Sequence, residues 1–202
     1  MTQGQTVRAV VVIVVLVLVA AVVVYLLRRR EAARGQAPRR DPLADHRDVD
    51  FARLAVGAVV TIDGSDHVVR GTLRFEQDGY TWAEHLLDDV HHRRWLSVED
   101  DEGLKLALWD GVPQADVTTG GPGDREIVVG GTAYRLEERG EAGFTAEGTT
   151  GTAPSGRAEY ADYRADGGRL AAFERFGGGG WEAAVGRTVS PGELTVYAAP
   201  RD

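Results

Sequence analysis

Residues 58–87 read AVVTIDGSDHVVRGTLRFEQDGYTWAEHLL, a run rich in β-branched and aromatic residues that two Asp-Gly pairs interrupt. Asp63-Gly64 and Asp78-Gly79 are each flanked by apolar residues, a strong short-range signal for a β-hairpin. Further turn signals lie at Glu102-Gly103, Gly130-Gly131 and Gly140. Turns spaced about 8 to 12 residues apart predict an all-β domain over residues 49–200, an antiparallel barrel or sandwich of roughly ten short strands.

The glycine run at 177–180, in the stretch FERFGGGGWE, has two interpretations. A phosphate-binding loop needs a helix after the glycines and a Lys-Ser/Thr pair at its end, and the chain has neither there. Instead, residues 170–176 and 181–185 both alternate as strands do. The run therefore predicts a hairpin turn, because glycine readily adopts the positive φ that such turns require.

The β domain is also predicted to contain two related halves, with repeats at 51–112 and 117–198. Short motifs recur in the same order, so that Glu84 matches Glu159 and Glu99 matches Glu174. Paired carboxylates perform acid–base chemistry in many sites. The alternative is that these acids face solvent or pair with neighbouring arginines.

The N-terminal part of the chain carries a membrane signal. After a short tail at 1–8, residues 9–27 form an uninterrupted apolar run that predicts a single transmembrane helix. A cleaved signal peptide is the alternative, but its apolar core would be shorter and a small-residue cleavage site would follow. Residues 28–48 are a basic, proline-containing linker.

Charge and cysteine content restrict location and partners. Seven arginines and one acid precede residue 41, so 16 of the 23 basic and 30 of the 31 acidic residues lie in residues 41–202. The Arg28–Arg30 cluster places the N-terminus outside and the β domain in the cytoplasm, as a single-pass protein of the cell membrane. The acidic body argues against nucleic acid as a partner. Without cysteine, there is no disulfide framework and no thiol nucleophile.

No catalytic, cofactor or metal site is predicted. The densest polar cluster, His85, Asp88, Asp89, His91 and His92, contains metal-ligand residue types, but adjacent strand residues point to opposite faces. The sequence contains no Gly-x-Ser-x-Gly motif, and we do not expect an enzyme. The tryptophans and phenylalanines are expected to form the core, with a partner-binding groove as the alternative.

The segments YTWAEHLL (80–87) and RWLSVE (94–99) resemble the bacterial family named domain of unknown function 4178. The resemblance extends over about residues 51–197, with His85 at a position where the family pattern has tyrosine. It implies a β-rich module, often in membrane-associated contexts, without established activity or catalytic residues.

These features together predict a protein-interaction module at the inner membrane face. Its partner is a protein, and the candidate contact residues are Trp82, Glu84, Trp95, Glu159, Phe173 and Trp181. Two alternatives are a small-ligand-binding or enzymatic domain with a pocket between the two β halves, and a subunit or assembly factor of a membrane complex.

Overall fold

The computed structural model of the chain describes residues 49–100 and 103–199, and this part is all-β. The predicted tail, transmembrane helix and linker at 1–48 lie outside the described residues. Within the described ranges, no helix has the length and apolar character needed to cross a membrane.

Twelve antiparallel strands form one sheet in the part of the chain that the structure describes. They are β1 (Val59–Ile62), β2 (Ser65–Gln77), β3 (Tyr80–Asp88), β4 (Arg93–Asp100), β5 (Leu104–Val112), β6 (Val117–Thr119), β7 (Glu126–Val129), β8 (Thr132–Gly148), β9 (Ser155–Ala165), β10 (Arg169–Phe176), β11 (Glu182–Val189) and β12 (Thr195–Tyr197). Short 3-10 helices occupy Phe51–Arg53, Gln114–Asp116, Asp166–Gly168 and Pro191–Glu193.

Eight of these strands close into a barrel. The sheet runs β2-β3-β4-β5-β11-β10-β9-β8, and β8 pairs back onto β2 from Gly71–Gly148 to Glu76–Gly143. Closure leaves no free edge among the eight. The four short strands extend this ring, because β12 pairs with β1 on β2, and β6 pairs with β7 on β8. The total of twelve strands in the described ranges is two more than the roughly ten predicted.

The predicted hairpins are confirmed. Asp63 (φ 53°) and Gly64 (φ 78°) form the turn between β1 and β2, with both central residues in the left-handed region. Two-residue turns of this kind match the natural twist of the flanking strands. The glycine run at 177–180 joins β10 to β11, whose residues pair from Glu174–Glu182 outward. It is therefore a turn between strands.

The turn predicted at Gly140 is wrong. Gly140 lies inside β8, which continues from Thr132 to Gly148 and pairs Gly140 with Tyr160 of β9. A Cβ at Gly140 would come within 2.7 Å of the Tyr160 hydroxyl oxygen. This glycine therefore allows an aromatic ring to approach the backbone closely. Close approach is one of the common reasons for a glycine within a strand.

The strand pairings divide into two equivalent halves. In each half, five consecutive strands pair as neighbours, β1 to β5 in the first and β7 to β11 in the second. A 3-10 helix then leads to a short strand that pairs with the first strand of the other half, which gives β6–β7 and β12–β1. Within the barrel, the halves also meet through the β2–β8 and β5–β11 pairs.

The register of the halves corrects one sequence match. Glu99 lies opposite Trp82, and Glu174 lies opposite Tyr160, so the match of Glu99 with Glu174 stands. Tyr160 then corresponds to Trp82, and the residue two positions later, Asp162, corresponds to Glu84. Glu159 was the predicted counterpart of Glu84, but it is offset by an odd number of residues and therefore faces the opposite side of the strand.

The side chains of alternate residues on the barrel strands lie in two different environments. One set packs outward into two apolar clusters, one for each half. The first outer core contains Leu87, Leu96 and Val98 beneath Phe51 and Val60, and the second contains Tyr163, Ala171 and Phe173 beneath Ile127 and Val129. The other set of residues faces the inside of the barrel, where β2 and β8 contribute a smaller cluster around Phe75 and Phe144.

Candidate functional site

The inside of the barrel holds a cavity of about 530 Å³ to which all eight barrel strands contribute. Small-molecule sites commonly have volumes of about 300 to 1,000 Å³. Its wall contains seven carboxyl side chains, six aromatic rings and one lysine. They are Asp78, Glu84, Glu99, Glu138, Asp162, Glu174 and Glu182; Phe75, Tyr80, Trp82, Trp95, Trp109 and Tyr160; and Lys105.

Three of the carboxyl groups form a central cluster. The Glu84 and Glu174 carboxyls share a hydrogen bond, and Asp162 lies close enough to raise the pKa of Glu84 further. Burial is the main cause that raises the pKa of Asp162 to about 7 and that of Glu174 to about 7. Burial and then repulsion from Glu174 and Asp162 also raise the pKa of Glu84 well above its usual value. The cluster therefore retains protons near neutral pH.

Several other polar groups of the wall are hydrogen-bonded to one another. Tyr80 donates its hydroxyl to Glu99 Oε2 at 2.9 Å, and Lys105 Nζ lies 3.6 Å from the same oxygen. The Tyr160 hydroxyl lies 2.8 Å from Gln77 Oε1 and 3.0 Å from Glu138 Oε1. These contacts fix the aromatic rings that carry the hydroxyls.

Aromatic rings form a continuous surface along one side of the cavity. Trp82 stacks on Phe75 with the ring centroids 4.8 Å apart and packs edge-on against Tyr160 at 5.9 Å. Tyr80 lies 5.8 Å from the Trp82 ring. Trp109 donates its indole N–H to Ser97 Oγ at 2.9 Å, so its ring orientation is also fixed. Such faces attract cations through their quadrupole.

The six predicted contact residues separate into two groups. The structure brings three of them together in the cavity wall: Trp82, Glu84 and Trp95. The other three lie elsewhere: Phe173 is fully buried in the second outer core, and Glu159 and Trp181 both contact Arg175. Their role in binding a partner stays a prediction.

The His/Asp cluster stabilises the loop between β3 and β4. Asp89 Oδ1 accepts the backbone N–H groups of His91 and His92 at 3.0 and 2.6 Å. His85 lies apart on β3, where Nε2–H donates to the Phe51 carbonyl and Nδ1 accepts from Thr72, both at 2.8 Å. Burial lowers the pKa of His85 to about 4, so the ring is neutral. No group of three or more His, Asp or Glu in the described ranges is placed to hold a metal ion.

Most of the cavity wall lay outside the candidate set from sequence, including Trp109, Tyr160, Asp162 and Glu182. A sequence signal existed for two of them, because Trp82-Ala83-Glu84 recurs as Tyr160-Ala161-Asp162, an aromatic residue followed by alanine and an acid. The strand period places the aromatic residue and the acid on the same face in both halves. This repeat was missed because Glu84 was aligned with Glu159 and not with Asp162.

Chemically, the cavity offers fixed aromatic faces and an excess of acceptor groups. Among the described residues of its wall, Lys105 is the one side-chain cation against seven carboxyls. A positively charged ligand would favour ionisation of the central carboxyls and pair with them. The same carboxylates would repel an anion.

Comparison with known proteins agrees with the resemblance seen in the sequence. Uncharacterised proteins of Mycobacterium bovis and Mycobacterium tuberculosis are 42% identical over 171 residues, which cover 80% of this chain and 81% of each relative. No solved structure matches the chain significantly. The family described as domain of unknown function (DUF4178) matches residues 55–191, which include all eight barrel strands, and the chain belongs to that family.

Proposed function

We propose that the β domain binds a small organic cation with an apolar body inside the barrel. The observation that carries the proposal is the composition of the cavity wall, seven carboxyls and six aromatic rings with one lysine. Binding sites combine apolar surface with a few convergent polar groups, and this wall does so with acidic groups. It develops the pocket that the sequence allowed as an alternative to a protein-interaction site.

Charge neutralisation supplies the driving force. Burial first, and then repulsion from neighbouring carboxylates, raises the pKa values of the central carboxyls Glu84, Asp162 and Glu174. A bound cation removes that repulsion, and its carbon skeleton packs on Trp82 and Tyr160. Binding therefore releases protons near pH 7, because the ligand favours the ionised form of each carboxyl.

The test is a ligand series measured by isothermal titration calorimetry with the full-length chain. We expect alkylammonium ions of four to eight carbons to bind, since they are small enough for a cavity of about 530 Å³, and carboxylates of the same size not to bind. Repetition in two buffers of different ionisation enthalpy measures the proton release. Equal binding of cations and anions, or binding of neither, would contradict the proposal.

Variants locate the ligand in the cavity. Asp162→Asn and Trp82→Ala change the acidic cluster and the aromatic wall respectively, and both are expected to weaken binding by roughly tenfold or more. Glu126→Gln is the matched control, since Glu126 is an exposed acid on β7 that does not line the cavity. Its affinity should equal that of the wild type.

We further propose that residues 9–27 anchor this domain at the cytoplasmic face of the cell membrane. The proposal rests on the apolar run and on the arginines that follow it. A single cysteine placed at the exposed Ser155 tests it, because the natural chain has none. A membrane-impermeant maleimide should label this variant only after cell lysis, and labelling of intact cells would reverse the orientation.

A protein partner is the second candidate function. Strand β12 lies at one edge of the described sheet, and Tyr197 on it is 46% exposed. An extended peptide can add to such an edge by main-chain hydrogen bonds. Tyr197→Ala, which removes the exposed ring from this edge, would weaken a partner of this kind while leaving cavity ligands unaffected.

A further inference from the structure

The two halves of the barrel surround equivalent carboxylates with different neighbours. Glu99 on β4 and Glu174 on β10 occupy the same position of their halves, opposite Trp82 and Tyr160 respectively. Both line the cavity. A comparison of their surroundings therefore shows what each half contains and what it lacks.

In the first half, Glu99 has two donors. Its neighbour across the β4–β5 pair is Lys105, whose Nζ lies 3.6 Å from Glu99 Oε2. The Tyr80 hydroxyl donates to the same oxygen at 2.9 Å. The carboxylate thus pairs with an ammonium group and accepts a hydrogen bond from a hydroxyl.

In the second half, both donors are replaced. Glu182 lies opposite Glu174 on β11, where Lys105 lies opposite Glu99 on β5. Ala158 precedes Tyr160 by two residues, as Tyr80 precedes Trp82, so an alanine occupies the place of the hydroxyl. Among residues 49–100 and 103–199, no Lys, Arg or His forms an ion pair with Glu174 or Glu182. Glu182 also adds to the repulsion on Glu174.

We propose that the second half binds a primary alkylammonium group between Glu174 and Glu182, in the position that the Lys105 ammonium occupies in the first half. This inference rests on the proposed function and specifies its ligand class. A primary ammonium has three N–H donors, which match several carboxylate acceptors, whereas a quaternary ammonium has none. The methyl side chain of Ala158 leaves room beside the bound group where the first half has a phenol ring.

A primary alkylammonium has two natural sources, a free amine and the side chain of a lysine on another protein. The cavity wall favours neither, because both present the same four-carbon chain and ammonium. The probes are therefore n-butylammonium for the free amine and a lysine with both backbone ends capped for the side chain. Tetramethylammonium, similar in size and charge but without N–H donors, is the third probe.

The decisive variant is Glu182→Lys, which installs the cation of the first half in the second. The new ammonium should occupy the proposed position, so binding of n-butylammonium should fall by roughly a hundredfold, beyond the loss of a single charge-assisted hydrogen bond. Glu182→Gln should weaken binding by roughly tenfold. Glu126→Lys makes the same charge change on the exposed surface of β7 and should leave binding unchanged.

Calorimetry on the full-length chain distinguishes the outcomes, with thermal unfolding as the check on folding of each variant. Tighter binding of n-butylammonium or the capped lysine than of tetramethylammonium, lost in Glu182→Lys, supports the inference, and the tighter of the two primary amines identifies the source. Equal affinity for tetramethylammonium, or unchanged affinity in Glu182→Lys, overturns it while the proposed function stands. Absence of binding by every cation overturns both.

Discussion

Phe173 and Glu174 are neighbours on β10, yet their side chains serve opposite purposes. Phe173 is completely buried in the second outer core, where its ring packs edge-on against Tyr163 at 6.0 Å. Glu174 faces the barrel cavity, where burial raises its pKa to about 7. A single strand thus presents a residue that stabilises the fold on one side and a residue whose ionised form is unfavourable on the other.

This difference extends around the barrel. Most of the buried outward residues are apolar, and the short strands and the Phe51–Arg53 3-10 helix cover them, so they carry most of the favourable burial. The inward residues include acids whose ionisation opposes folding. Sites that bind ligands commonly retain such unfavourable groups, because the ligand and not the fold satisfies them.

Truncation of an outer-core residue should give the largest effect. Phe173→Ala is expected to lower the free energy of unfolding by about 3–5 kcal/mol, since it removes a fully buried ring and leaves a cavity. Urea denaturation measures the change. Phe176→Ala on the same strand is the control, because Phe176 is half-buried beside the inner Phe75 ring. An equal loss in both variants would break the distinction between the two faces.

Neutralising the inner acid should increase the stability of the protein, the opposite of the effect expected for Phe173→Ala. Glu174→Gln is expected to raise the free energy of unfolding at pH 8 by about 2–3 kcal/mol, the equivalent of a shift of about two pKa units. Glu126→Gln on the surface should change little. The gain should disappear at pH 4, where the wild-type carboxyl is protonated in the folded protein.

The pH dependence follows from the same raised pKa values. Unfolded carboxyls ionise near pH 4, whereas Asp162 and Glu174 retain their protons up to about pH 7 in the folded state. The folded protein binds more protons between these values, so the contribution of these groups to stability is complete below about pH 4 and is lost as pH rises to about 7. The difference in denaturation midpoint between wild type and Glu174→Gln, followed from pH 4 to 8, measures it. A constant difference would contradict the assignment.

Gly140→Ala tests whether close packing positions the inner aromatic wall. The new Cβ would meet the Tyr160 ring, so we expect a loss of about 1–3 kcal/mol in the free energy of unfolding and a displaced tyrosine hydroxyl. Gly143→Ala is matched on the same strand, with its nearest contact at 3.8 Å. A larger loss for Gly143→Ala would show that strand entropy and not ring contact controls these positions.

The smallest effect is expected from a buried hydrogen bond behind the cavity. Thr72→Val removes the hydroxyl that donates to His85 Nδ1 and should lower the free energy of unfolding by about 1–2 kcal/mol. The exposed Thr81→Val is the control. The NMR titration of His85 should also change, because an Nδ1 without its donor protonates at a different pH.

The local features of the fold were predictable from short sequence signals. Asp63-Gly64, Asp78-Gly79 and the glycine run at 177–180 all form the turns that their residue types require, because glycine and aspartate tolerate positive φ. Alternation between turns identified strands for the same local reason. The turn predicted at Gly140 was wrong because a glycine is compatible with both a turn and a close ring contact. Only the position of its partner Tyr160 distinguishes the two.

The cavity depended on contacts distant in sequence. Alternation on β3 separates Trp82 and Glu84 from Ala83 and His85, but both sets contain apolar and polar residues, so the pattern does not say which side faces the cavity. The pairing of β2 with β8 settles that question, because it closes the sheet and turns one face inward. Strands and turns depend on neighbouring residues, so sequence patterns were sufficient to predict most of them. The contact among Glu84, Asp162 and Glu174 depends on barrel closure, which brings together residues from opposite halves of the chain.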